Sequence, residues 1–245
     1  MIGPALGAVA AGGALAFIGY AWAPHLATPL CVWRAPRAAG RRIALTFDDG
    51  PDATFTPRVL DILAARGVRA SFFLVGERAA RAPAVVRAIA AAGHEIGSHG
   101  WSHRSLWLCG PARTEAEIGR ARESLGALSG RAPTLFRPPW GMVNAVMFAA
   151  LRRHGQRCVF WSIQPEGLRP APADVQVSRV LRRAHPGAIV DLHDAEGTRQ
   201  APARLCAALP AMIDGLAAAG YGFGTVGELL AACDASAGRS TGGLS

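Results

Sequence analysis

Asp48 and Asp49 stand side by side at the end of an apolar run, Ile43-Ala44-Leu45-Thr46-Phe47, and Gly50-Pro51 follows at once. Two adjacent acids at the end of a buried strand repel each other unless something positive sits beside them. The chain supplies candidates: His99 and His103 four residues apart, Arg137 before a pair of prolines, and His193 closing another apolar run. Two histidines and one carboxylate make a metal site with open positions, the third ligand being Asp48 or Asp49. Water in an open position is acidified by the metal. The acid left over is then free to act as a general base, with Arg137 to orient it and lower its pKa. His193, far along the chain, can approach from the other side of a substrate and protonate a leaving nitrogen or oxygen. Asp191 precedes His193 by two, so on a strand their side chains share a face. A carboxylate inside an apolar strand needs a partner; a link to His193 and a polar substrate pocket both fit.

The elements that must position these residues follow a rhythm. Strands are expected at 42–48, 70–75, 94–98, 135–137, 157–161, 188–192 and 221–225. Helices are expected at 56–66, 83–92, 113–128, 144–153, 174–184 and 203–219, with a short closing helix at 227–233. Thr56-Pro57, Asn144 and Asp174 read as helix starts, and Gly67 and Gly93 as stops. Strands alternating with helices through short loops argue for parallel βα units in one domain over 41–233. The polar candidates fall at the C-terminal ends of their strands, where βα barrels build active sites.

The formal charge of +9 rests on arginine alone, for no lysine occurs. The arginines are scattered without aromatic interleaving, which reads against nucleic-acid binding. Five cysteines, an odd number without a C-x-x-C pair, suggest buried free thiols rather than a disulfide framework. Residues 1–33 contain no Lys, Arg, Asp or Glu, and residues 2–23 are almost wholly apolar. That length suffices for a membrane anchor helix over 1–23, with a secreted form as the competing reading. Arg34, Arg37, Arg41 and Arg42 follow it, which by the positive-inside rule favours a cytoplasmic domain; the inferred chemistry favours the cell envelope. Residues 24–40 read as a linker and 234–245 as a disordered Gly/Ser tail. No oligomeric state is specified.

Four motifs in order, Thr46-Phe47-Asp48-Asp49-Gly50-Pro51, Ser98-His99 with His103, Arg137-Pro138-Pro139-Trp140-Gly141 and Leu192-His193-Asp194, resemble the polysaccharide deacetylase family, the NodB-homology or carbohydrate esterase family 4 domain. The resemblance spans about 42–230. It implies a distorted (β/α) barrel of seven or eight strands, here preceded by an N-terminal apolar helix. It implies Asp48 as catalytic base, Asp49, His99 and His103 as metal ligands, Arg137 as the tether of Asp48, and His193 as general acid. A backbone N–H near Trp140 would hold the oxyanion, and Pro139 and Leu192 from the same motifs, with Trp161 from the stretch Trp161-Ser162-Ile163-Gln164, would lie on the substrate side. The implied cofactor is one divalent ion, zinc foremost, with cobalt, nickel, iron or manganese in relatives. The implied reaction removes N-acetyl groups from an N-acetylglucosamine-containing polysaccharide or glycan.

Two positions depart from the family pattern. Gln164 stands where an aspartate commonly orients the acid histidine, and Glu166 is a displaced carboxylate that could join that shell. Asp191 stands where a leucine commonly lines the acetyl pocket; it either replaces the orienting carboxylate or makes the pocket polar. The alternatives are an esterase or amidase for another acyl group or an O-acetyl sugar, and a catalytically silent carbohydrate-binding protein.

Overall fold

The computed structural model describes residues 12–167 and 169–232, without the side chain of Arg37. Seven strands form one parallel sheet: β1 (Arg42–Asp48), β2 (Ser71–Leu74), β3 (Glu95–Ser98), β4 (Leu135–Phe136), β5 (Arg157–Cys158), β6 (Ile189–His193) and β7 (Gly222–Phe223). Helices surround it: α1 (Phe55–Ala64), α2 (Gly76–Arg81), α3 (Pro83–Ala91), α4 (Pro111–Ser129), α5 (Met147–Arg153), α6 (Ala173–Arg183) and α7 (Ala201–Ala218), and residues 226–232 are helical where the short closing helix was expected. The order is β5-β4-β3-β2-β1-β6, with β7 beside the first two residues of β1. This is the distorted (β/α) barrel expected from the sequence. The short helix over Gly76–Arg81 was not foreseen, because six residues are too few to establish a 3.6-residue period.

Strand alternation decides what enters the barrel. Ile43, Leu45 and Phe47 of β1 pack outward with α1 and α7 residues such as Val59, Leu63 and Leu209. Ala44 faces inward with Phe73 and Ile189, and Thr46 and Asp48 share its parity. Asn144 accepts the N–H groups of Val146 and Met147 at the start of α5 and caps it as expected. Thr56 is not the cap of α1. Asp52 takes the N–H groups of Thr54 and Phe55, while the Thr56 hydroxyl donates to the buried carboxylate of Asp194. Asp174 lies in the first turn of α6, behind Pro172 at the cap position.

The stretch expected as a linker is folded against the barrel. Ala23–Leu30 forms a 3-10 helix. Val32 then pairs with Val159 and Arg34 with Ala188, while Ile163 pairs with Val190. Together these bridges join the β5 side of the sheet to β6 and close the barrel. Residues 1–11 and 233–245 lie outside the described residues, and with them half of the expected anchor and the expected tail. No helix of the described residues is long and apolar enough to cross a membrane. Cys31, Cys109, Cys158 and Cys206 are free and buried, in line with the thiol expectation.

Candidate active site

Asp48 ends β1 pointing into the barrel, and adjacent residues of a strand should point apart. Asp49 escapes this because its φ is 71°, a left-handed turn that brings its carboxylate back to the same cavity. The two acids then part company in their partners. Asp49 Oδ1 lies 2.9 Å from His103 Nε2 and 3.5 Å from His99 Nε2. Burial would push its pKa up, but the two histidines more than offset this and hold it well below the usual carboxylate range. Asp48 Oδ1 instead accepts a 2.7 Å hydrogen bond from Arg137 Nη1 and lies out of ligand contact, its Oδ2 3.9 Å from His99.

His99 follows β3, and its Nδ1–H donates to the carbonyl of Arg137 at 2.8 Å. That bond fixes the tautomer and leaves Nε2 facing Asp49. The chain from His99 to His103 is a tight loop, with φ of 81° at Gly100 and 53° at His103. Glu117 of α4, buried, staples this loop by accepting the N–H groups of Trp101 and Ser102 and the Ser102 hydroxyl. The candidate ligand atoms of Asp49, His99 and His103 all lie within 4.8 Å of one another. One carboxylate and two imidazoles, held close and largely buried, fit a divalent ion with open positions.

Arg137 is fully buried beneath the acids. Its Nη1 reaches Thr46 (2.8 Å), Asp48 (2.7 Å) and Asp191 (3.3 Å), and its Nη2 donates to the carbonyl of Phe160 (2.9 Å). The guanidinium lies 4.1 Å from the centre of the Phe73 ring. Asp191 therefore has a partner in Arg137, rather than the hydrogen bond to His193 that the sequence left open. Burial and the neighbouring Asp48 raise the Asp191 carboxyl to about 7. Burial would depress His193, but Asp191, Asp49 and Asp48 outweigh it and raise its pKa.

The acids and histidines, but not Arg137, line a pocket of about 720 Å³ together with Trp140, Trp161, Gln164, Glu166 and Arg199. Two expected substrate-side residues fall elsewhere. Leu192 packs outward in the apolar layer under α7, as alternation between Asp191 and His193 requires. Pro139 is buried behind the rim, while Trp140 stands 55% exposed with φ 53° and its ring 4.4 Å from that of His103. Glu166 is engaged by Arg204 Nη2 (2.6 Å) and Nε (3.0 Å) and by the N–H of Ala171, so it anchors the 164–172 loop. Sequence reading missed Arg78, Glu117 and Glu196. Arg78 donates to the Asp49 carbonyl at 2.6 Å and pairs with Glu196, whose carboxylate lies 3.5 Å from His103 Nδ1. Only the Glu117–Arg113 spacing of four on a helix hinted at any of these.

A parallel βα barrel with an acid–histidine cluster at the strand ends defines a metal-assisted hydrolase type of site. Residues 35–159 match the polysaccharide deacetylase family. The chain is 36% identical over 205 residues to the peptidoglycan-N-acetylglucosamine deacetylase of Bacillus cereus, covering 83% of this chain and 94% of that protein. It is 34% identical over 206 residues to peptidoglycan-N-acetylglucosamine deacetylase PgdA of Listeria monocytogenes, covering 84% of this chain but only 42% of the relative. The crystal structure of the Bc1960 peptidoglycan N-acetylglucosamine deacetylase superposes with a TM-score of 0.77 at 32% identity, over 82% of this chain and 92% of that one. The chain belongs to the polysaccharide deacetylase family, within carbohydrate esterase family 4. Enzymes of this family are metal-dependent, and the Asp49–His99–His103 cluster is the candidate site for the ion.

Proposed function

We propose that the chain is a zinc-dependent deacetylase that removes N-acetyl groups from N-acetylglucosamine residues of a glycan. The observation that carries this is the division of labour between the two acids: Asp49 turns to the histidines and Asp48 to Arg137. A divalent ion held by Asp49, His99 and His103 would acidify a water and polarise the acetyl carbonyl. Asp48 takes the proton of the attacking water, aimed by its hydrogen bond from Arg137. The backbone N–H of Trp140, at the turned rim, serves as a donor to the oxygen on which charge develops. Protonated His193 gives its proton to the departing sugar nitrogen. Trp140 and Trp161 offer apolar faces to a sugar ring. The products are acetate and a free amino sugar. The apolar N-terminal stretch attaches the enzyme to a membrane, with the barrel on the envelope side.

The buried carboxyl of Asp191 favours a second reading, a polar acyl pocket that accepts a group other than acetyl. The deciding experiment measures acetate from N-acetylglucosamine oligomers and peptidoglycan, using full-length protein stripped of metal and reloaded with zinc. Zinc-dependent acetate supports the deacetylase. Tight zinc binding without acetate from either substrate moves the weight to another acyl group.

A further inference from the structure

Most of the large apolar side chains that remain exposed among the described residues belong to the N-terminal segment, from Leu15 to Trp33. Leu15, Ile18, Trp22, Leu26 and Leu30 are all exposed along residues 12–30, which pass from an α-helical start through a π turn (Ile18–Trp22) into the 3-10 helix (Ala23–Leu30). Leu26 and Leu30 are 79% and 86% exposed, and Leu108, on the loop the segment packs against, is 85% exposed. The segment is nevertheless fixed to the barrel. The Tyr20 hydroxyl donates to the Cys109 carbonyl at 2.7 Å, Ala145 N–H donates to the Tyr20 carbonyl, and Phe17 and His25 meet Trp107 edge-on. An apolar surface of this kind, held rigid and left open, marks an interaction site. Residues 1–11, which lead directly into it, carry no charged side chain, and none occurs before Arg34. That continuity suits a bilayer interface better than a protein partner, whose contact would be rimmed by polar groups.

The same loop leads to the catalytic pocket. A groove of about 350 Å³ is lined by Arg104, Leu108, Arg113 and Trp140, and it shares His103 and Trp140 with the pocket around the candidate metal site. Arg113 is engaged by Glu117 at 3.0 Å. Arg104 is exposed and has no ion-pair partner among the described residues. The groove therefore offers a free cation between the apolar face and the reacting centre. In an N-acetylglucosamine joined to a lipid through phosphate, the acetamido group is on C2 and the phosphate on the adjacent C1. The anion then lies one bond along the ring from the carbon bearing the reacting amide. A groove adjoining the metal cluster is where it would fall.

We propose that the face formed by Leu15, Ile18, Trp22, Leu26, Leu30 and Leu108 lies on a bilayer, and that the groove at Arg104 takes the phosphate of a lipid-linked N-acetylamino sugar. This rests on the deacetylase reading and names the substrate class for it. The test compares acetate release by the zinc-loaded full chain from three substrates. These are N-acetylglucosaminyl-diphospho-polyprenol in phosphatidylcholine/phosphatidylglycerol vesicles, the water-soluble sugar diphosphate, and a neutral N-acetylglucosamine oligomer. The vesicle substrate is expected to give at least a tenfold higher kcat/KM than either soluble one. Leu26→Glu/Leu30→Glu should remove that advantage while leaving the oligomer rate unchanged. Arg104→Gln should lower kcat/KM on the diphosphate substrates at least tenfold more than on the oligomer. Equal rates on all three substrates, or a vesicle rate untouched by the double glutamate variant, would overturn the proposal. So would dimerisation through this face, seen by light scattering and abolished by the same variant, with no vesicle binding. Acetate from none of the three would instead count against the deacetylase reading itself.

Discussion

Asp48 and Asp49 are chemically identical neighbours, and one backbone angle gives them different partners. If Asp48 is the base and not a ligand, Asp48→Asn should cut kcat by about 10²–10⁴ and leave zinc affinity unchanged, measured by competition with a chelator. A loss of zinc with the activity would make Asp48 a ligand and overturn the assignment. If His193 is the acid, activity should fall as pH rises through its pKa, and its carboxylate neighbours place that limb above the ordinary histidine value of 6.5. Asp191→Asn removes one of those carboxylates and should move the alkaline limb of the kcat profile to lower pH. An unmoved limb would confine Asp191 to holding Arg137. A divalent ion at Asp49 works in the same direction as the substitution, so both proteins should be compared with the metal loaded.

At the scale of elements, the candidate ligands depend on a residue that touches none of the reacting atoms. Glu117 reaches from α4 to hold the 99–103 loop, and it is 2% exposed. Glu117→Ala should weaken zinc binding by about 10–100-fold through the freed His103, with a lowered Tm beside it; unchanged zinc affinity would show that the loop holds itself. The β6 strand gives a contrasting case. Leu192 faces the helices, so Leu192→Ala should cost roughly 2–4 kcal/mol of stability while the activity of the folded fraction persists. A specific loss of kcat/KM at full stability would return Leu192 to the substrate pocket. Both elements were legible in the sequence as strand and helix. Their contents were less so: the Glu117 staple spans 15 residues to Ser102, and no local period records it.

For the whole molecule, the closing contacts come from the segment that the sequence presents as a linker. Cys31, Ala35 and Ala39 are buried, and Val32 exchanges backbone hydrogen bonds with Cys158 and Phe160, whose carbonyl also holds Arg137. A fragment beginning at Arg41 should therefore melt roughly 5–10 °C below the full chain and lose activity with the loosening of Arg137. Equal Tm values for the two proteins would show that the segment merely rests on the barrel.

Local chemistry carried much of this protein. Alternation in β1 and β6, glycines after helices, and four short motifs sufficed for the barrel, the acid–histidine cluster and the family. These signals are local because strand parity and turn chemistry act over two to five residues. The tertiary structure decided what depends on long-range pairing. It set Asp191 on Arg137, 54 residues away in sequence, and Glu166 on Arg204, 38 residues away. It also folded residues 31–35 into the barrel wall. Those outcomes follow from burial: a charge taken out of water must find a partner wherever the fold brings one near, and an open sheet edge must be covered by whatever backbone lies beside it.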